Sequence, residues 1–364
     1  VKLALDLAER GLMPDAAIRF GIRALLCSRL AEWEHLSPEA RGAHVERFVR
    51  TLRQSPIAVH TRDANEQHYE VPPEFFGLVL GRHRKYSSCL FPPGVRDLDT
   101  AEAHMLEITC RRARLRDGQR ILELGCGWGS LTLWMAEHFP NSRILAVSNS
   151  APQRRHIAAQ LAARGLRNVE VRTCDMNAFD PGATFDRVVS VEMFEHMRNV
   201  PELFRRVAEW LDPDGLAFLH VFAHREYPYF FETDGDDNWM GRYFFTGGMM
   251  PSDGLYYRFP EHLTVCRHWV VGGRHYARTA EAWLRNLDLN RPRVLPILRE
   301  TYGAAEAERW FHRWRIFFLA CAELWGMERG RQWWVSHYLL KPTQRLRQPS
   351  DGHRNGTSRV LGVH

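Results

Sequence analysis

From residue 119 onward, short apolar runs alternate with amphipathic stretches. The runs at 120–124, 143–148, 169–173, 185–190 and 215–222 predict strands, and the helical spacing at 130–138, 151–164 and 201–211 predicts helices among them. Gly165 ends one of these helices, and Asp212-Pro-Asp-Gly215 makes a turn into the strand that follows. Such alternation predicts an α/β fold, a parallel sheet covered on both faces. Ligands of these sheets bind beyond the carboxyl ends of the strands.

The flanks read differently. Residues 1–60 are helical, with Ile18, Ile22, Leu25, Leu26 and Leu30 at helical spacing and Arg19, Arg23 and Arg29 on the other faces. That pattern suits a cover over the core better than a helix lying on a membrane. Residues 61–98 mix polar and aromatic residues with prolines, so little regular structure is expected, and a stretch of this kind often serves as a lid. A helix follows at 99–114. Residues 223–300 break the alternation with turns and aromatics and read as an insertion before the final strands. A long helix at 304–327 carries Trp310, Trp314, Phe317, Phe318, Cys321 and Trp325 along one side, a stripe expected to pack in the core. A last strand covers 332–340. The organisation expected is N-terminal helices and lid (1–98), ligand-binding core (99–222), insertion (223–300), closing helix and strand (301–341) and a disordered tail (342–364).

Composition narrows the function. A net charge of +6 without any long basic run gives no nucleic-acid footprint. The seven cysteines are scattered and form no C-x-x-C pair, so neither a disulfide framework nor a metal site is expected. No apolar run reaches membrane-spanning length and no signal-peptide core is visible, so a cytoplasmic setting is the expectation.

The chemistry gathers at strand ends. Gly125, Gly127 and Gly129 form a turn between the first strand and its helix, leaving room for a ligand against the backbone. Their spacing is not G-x-G-x-x-G; Glu123-Leu-Gly-Cys-Gly-Trp-Gly129 instead resembles the first motif of S-adenosylmethionine-dependent methyltransferases. After the second strand, Ser148, Asn149, Ser150 and Gln153 suit ribose hydroxyls or simple helix capping. After the third, Asp175 suits an adenine amino group, with Met176 on the ring, or a plain turn. After the fourth, Glu192, Glu195 and His196 lie within five residues and suit acid–base work, with a helix-start cap as the competing reading.

Taken together, Gly125-Cys-Gly-Trp-Gly129, Glu192-Met-Phe-Glu-His-Met197 and Tyr86-Ser87 resemble the cyclopropane-fatty-acid-synthase family of methyltransferases. Gln67-His-Tyr-Glu70, Arg242-Tyr-Phe-Phe-Thr-Gly-Gly248, His268-Trp269, Gly273-Arg-His-Tyr-Ala277 and Trp314-Arg-Ile-Phe-Phe318 are closer to its coclaurine N-methyltransferase branch. The likeness runs over about residues 15–341 in one register.

The resemblance implies a class I, Rossmann-like methyltransferase fold, with S-adenosylmethionine at Tyr86, Ser87, Gly125, Gly127, Asn149, Gln153, Asp175, Met176 and Glu192, and S-adenosylhomocysteine as product. It implies an amine site at Glu70, Glu195 and His196, with Ser88, His220, Phe222 and Tyr276 as further substrate contacts. In the lipid-cyclopropanating branch a bicarbonate serves as base, and the matching positions are Ser88, Glu195, His220 and Tyr276; the family cysteine is Ser88 here. The partner implied is a small amine, with membrane contact only under the lipid alternative, and a homodimer is a further expectation. An amine attacks through its neutral lone pair, so a proton acceptor is needed. With an ordinary imidazole pKa, His196 suits that task, and its loss is expected to matter most at low pH.

Overall fold

The computed structural model describes residues 2–59, 71–234 and 238–343. Three helices, Lys2–Glu9, Asp15–Glu34 and Pro38–Gln54, open the chain. Ile18, Leu30 and Trp33 of the second are buried, whereas Leu25 is exposed. Its arginines face protein: Arg19 pairs with Glu281 and Glu323, and Arg23 with Glu323. The helix is thus held onto two C-terminal helices, Gly273–Leu289 and Ala307–Gly326, as a cover.

The next element departs from expectation. Pro73–Val79 is a helix inside the 61–98 stretch, started by Pro72 and Pro73 and burying Phe75, Phe76 and Val79. Proline fixes φ near the helical value and has no N–H to leave unpaired, so in a first turn it starts a helix instead of breaking one. Leu98–Arg112 follows, capped by Asp97, which accepts from Thr100 N at 2.8 Å.

The strands are β1 (Arg120–Leu124), β2 (Arg143–Ser148), β3 (Val169–Thr173), β4 (Phe185–Val191), β5 (Leu211–His224), the short β6 (Tyr229–Phe230) and β7 (Met249–Met250), β8 (Leu263–Val271) and β9 (Trp333–Pro342). Seven of them form one sheet in the order β3-β2-β1-β4-β5-β9-β8. The first five in that order run parallel; β9 is antiparallel to β5 and to β8. Helices Ser130–His138, Ala151–Ala163 and Val200–Trp210 connect the parallel strands. The chain turns from β1 to β2 on one side and to β4 on the other, which opens a crevice at their carboxyl ends. Register fixes what meets there: Leu124 lies opposite Val147 and Ser190, and Val191 opposite His220.

Residues 223–300 hold more order than expected. β8 is an edge strand of the main sheet, and Gly273–Leu289 and Arg291–Tyr302 are helices. Most of β8 is only partly buried, so it lacks the continuous apolar run that marks β1 and β2. The two helices begin at Gly272-Gly273 and Pro292 and include Pro296, residues that read locally as breakers. In helix Ala307–Gly326, Trp314, Phe318 and Trp325 are core as expected. Phe317 and Cys321 reach the cavity described next. The expected tail lies outside the described residues, apart from Pro342, which ends β9, and Thr343.

Candidate active site

The crevice between β1 and β4 opens into a cavity of about 220 Å³. Its floor is the glycine turn. Gly125 has φ +80° and Gly127 φ +51°, conformations that L side chains rarely adopt. A Cβ at Gly125 would lie 2.7 Å from Cβ and Cγ of Met193, whereas one at Gly127 would meet nothing within 4 Å. Gly125 thus lets the turn close on the β4 loop, and Gly127 leaves a bare backbone facing the cavity. Gly125 N and Cys126 N both donate to Val147 O, tying the turn to β2.

Asn149, Gln153, Asp175 and Met176 line the same side. Ser150 caps its helix by accepting from Gln153 N, so for this serine the capping reading holds. The Gln153 side chain accepts from Ser148 Oγ at 2.7 Å. Asp175 both lines the cavity and closes a turn, accepting from Asn177 N at 2.8 Å. Ser130 Oγ and Thr109 Oγ1, on residues that line the cavity, are buried without a hydrogen-bond partner among the described residues. Orphaned hydroxyls beside a bare glycine turn fit a polar, nucleoside-bearing cofactor.

The segment 81–88 forms the opposite wall. Glu102, fully buried, accepts from the backbone N–H groups of Gly81, His83 and Lys85 and so holds this loop. Tyr86 and Ser87 line the cavity. Lys85 lines it too, and nothing in the sequence marked it. Its ammonium is buried and donates to Ser87 Oγ and to Ser88 O, and burial pulls its pKa below the ordinary lysine value.

Glu192 is the centre of the site. It sits at φ +48°, a left-handed conformation that is strained for a residue with a side chain and is found where function demands it. Oε1 accepts from Ser88 N at 3.0 Å and lies 3.2 Å from His220 Nε2, and Oε2 accepts from Tyr276 Oη at 2.7 Å. Ser88 N, His220 and Tyr276 thus converge on the protein's own carboxylate. They belong to the positions that the resemblance would place around a bicarbonate. Ser88 contributes its backbone; its hydroxyl turns away to Cys89 O. Tyr276 lines the cavity, whereas neither Ser88 nor His220 does.

Glu195 and His196, neighbours in a 3₁₀ turn at Phe194–His196, part company. His196 lines the cavity and stacks on Phe245, with ring centroids 4.7 Å apart. Glu195 lies behind the wall. Its Oε1 accepts from Phe222 N at 2.7 Å, and its Oε2 is buried with no hydrogen-bond partner among the described residues. The two carboxylates therefore differ. Burial raises both, but Lys85, Ser88 N–H and the Tyr276 phenol pull Glu192 back, whereas the Glu192 charge pushes Glu195 further up. Both stand above the ordinary carboxylate value, Glu195 much further, so of the pair Glu192 ionises first. For His196, burial lowers the pKa to about 4, against a weaker opposing pull from Glu192, so the ordinary imidazole value assumed from the sequence does not hold. Phe222, Phe245, Trp283 and Phe317 complete an aromatic end to the cavity. Glu70 lies outside the described residues.

Residues 58–331 match the family model described as mycolic acid cyclopropane synthetase. The chain is 38% identical to (S)-coclaurine N-methyltransferase from Thalictrum flavum subsp. glaucum, over 92% of this chain and 93% of that one. It is 31% identical to pavine N-methyltransferase from the same plant, over 92% of this chain and 94% of that one. Among solved structures it is similar to coclaurine N-methyltransferase bound to N-methylheliamine and SAH, with a TM-score of 0.89 and 36% identity, covering 93% of this chain and 98% of that chain.

Proposed function

The chain belongs to the mycolic acid cyclopropane synthetase family, and from that premise we propose that it is an S-adenosylmethionine-dependent N-methyltransferase of a small aromatic or cyclic amine, tetrahydroisoquinoline-like in shape. The observation that carries this reading is Glu192, whose carboxylate is held by Ser88 N, His220 and Tyr276 at the aromatic end of the cavity, with His196 on the same wall. S-adenosylmethionine, when bound against Gly125, Gly127, Gln153, Asp175 and Met176, supplies a methyl group on a sulfonium.

The remaining work falls to the chain's own residues. Phe222, Phe245, Trp283 and Phe317 offer ring faces that attract a cationic centre. Glu192 places one negative charge beside the one positive charge that the reaction moves from sulfur to nitrogen. Because that charge is fixed and buried beforehand, no solvent needs to reorganise during transfer. His196 is neutral at working pH and accepts a hydrogen bond from the amine, which aims the nitrogen lone pair along the line of displacement. A ring with a pKa of about 4 is a weak proton acceptor, so orientation is its main contribution. Glu195 positions Phe222 from behind the wall.

The lipid reading loses support because Glu192 fills the place where the bicarbonate donors meet. Membrane contact belongs only to that reading, and among the described residues no helix is long and apolar enough to cross a membrane.

The test uses S-adenosylmethionine with a fully deuterated methyl group, offered with a panel of cyclic and aryl-alkyl amines and, separately, with liposomes of unsaturated phospholipid. An amine product retaining all the methyl deuterium is expected. A lipid product that has lost one deuterium would overturn the reading.

A further inference from the structure

A row of side chains crosses the sheet from its edge to the cavity. In register, Trp269 of β8 faces His337 of β9, His337 faces His220 of β5, and His220 faces Val191 of β4, whose next residue is Glu192. The row is hydrogen-bonded. Arg112 Nη1 lies 2.7 Å from His337 Nδ1, His337 Nε2 lies 2.9 Å from His220 Nδ1, and His220 Nε2 lies 3.2 Å from Glu192 Oε1.

The chemistry of its members gives this row one direction. Both imidazoles are completely buried, and burial together with Arg112 and Lys85 keeps each well below the ordinary histidine pKa. Each is neutral and has one N–H and one lone pair. The guanidinium of Arg112 donates and never accepts. His337 Nδ1 is therefore the acceptor and its Nε2 the donor, and the same follows for His220. Every N–H points toward Glu192.

We propose that Arg112 is a positioning residue that sets the polarity of this row and thereby delivers a fixed N–H from His220 to the carboxylate of Glu192. The bland alternative is an arginine packed at the sheet edge. Against it, among the described residues no carboxylate lies within ion-pair distance of Arg112. Its guanidinium is half-buried over the Trp269 ring, 5.2 Å from the centroid, and directs a donor inward. Without that donor the opposite polarity becomes available: Glu192 takes up a proton and donates to His220 Nε2, and both imidazoles change tautomer. The groups facing Glu192 from the packed elements are Lys85, Ser88, Cys89, Glu195, His196, Tyr276 and Cys321. None of these groups hydrogen-bonds either histidine among the described residues, so none fixes their tautomers.

The polarity stands on the hydrogen-bond geometry and on the neutrality of two buried imidazoles; its consequence for turnover rests on the amine-methylation reading. Two measurements separate them. Nitrogen-15 NMR of the histidine rings, on the full chain with S-adenosylhomocysteine and no substrate, is expected to show the Nε2–H tautomer at both His220 and His337. Arg112→Leu is expected to lose that single tautomer and Arg112→Lys, which keeps a donor, to retain it. With an amine substrate, Arg112→Leu is expected to move the acid limb of kcat/KM upward by roughly one pH unit, about a tenfold loss at a fixed pH on that limb, with rescue by Arg112→Lys. An Nδ1–H at either histidine of the unsubstituted protein, or an unmoved limb in Arg112→Leu, would overturn the proposal. Should Arg112→Leu not fold, the tautomers of the unsubstituted protein and of Arg112→Lys decide. Absence of turnover with every amine would count against the N-methyltransferase reading, and the NMR result would still decide the row.

Discussion

Tyr276 donates its phenol proton to Oε2 of Glu192 at 2.7 Å, from a ring stacked 4.6 Å from that of Trp325 with only 5° between the planes. Stacking fixes the ring, the ring fixes the hydroxyl, and the hydroxyl helps to hold Glu192 in its charged form. Tyr276→Phe removes one hydrogen bond to a charged group and leaves the stack. The loss is about 2 kcal/mol, a fall in kcat/KM of roughly 30-fold. Steady-state kinetics with a calorimetric titration of S-adenosylhomocysteine check it. The titration should change little, and an equal loss there would place Tyr276 at the cofactor instead.

His196 carries a different expectation from the one its sequence suggests. Burial holds its pKa at about 4, so its neutral form is fully present above about pH 5 and does not titrate near neutrality. His196→Ala should therefore lower kcat by about 10²-fold at every pH from 6 to 9, without moving the acid limb. A loss confined to low pH would restore the role of proton acceptor.

The glycine turn allows two substitutions to be told apart. Gly125→Ala meets both a left-handed φ and Met193 at 2.7 Å, and should destabilise the fold by about 2 kcal/mol or more. Gly127→Ala meets only the conformational penalty, roughly 1 kcal/mol, but it adds a methyl at a residue that lines the cavity. Thermal melts should separate the two, while calorimetry should show weakened S-adenosylhomocysteine binding in both.

Much of this was legible in the sequence, and the parts that were not have physical reasons. β1, β2, β4 and β5 are buried by helices and flanking strands, so their apolar runs announce them, and β3, at one sheet edge, is marked by its place in the strand–helix alternation; β8, at the other edge and after that alternation has stopped, is not. Glu192, Glu195 and His196 stand out as one cluster, but sequence spacing cannot say which carboxylate faces the cavity. That choice is made by the backbone at Glu192, whose φ of +48° departs from the regular alternation of a strand. Lys85 and Arg112 carry no local mark at all. Each matters because of groups far away in the chain: Lys85 lies near Glu192, and Arg112 bonds His337.

Glu123 supplies a prediction about stability. It is fully buried beneath the glycine turn, accepts from Thr132 Oγ1, and burial raises its pKa from about 4.5 to about 7. The folded state therefore binds a proton between these values that the unfolded chain has released. The contribution of Glu123 to stability falls as pH rises from about 4.5 to about 7, by an amount on the order of 3 kcal/mol, and changes no further above that. Glu123→Gln removes the titration, so the variant should gain on the unsubstituted protein across that window. Denaturant unfolding at pH 5 and pH 8 would show it, and an equal difference at both pH values would sink the idea.

Helix Ala307–Gly326 gives Phe317 to the cavity and its neighbour Phe318 to the interior, with Trp314 also in the interior. Shape selection and mechanical support thus alternate along one rigid rod and come from different side chains. A lineage under pressure to accept a bulkier or slimmer amine can alter Phe317 or Cys321 while the anchoring rings stay in place. The same scaffold can then explore many substrates without first losing its fold.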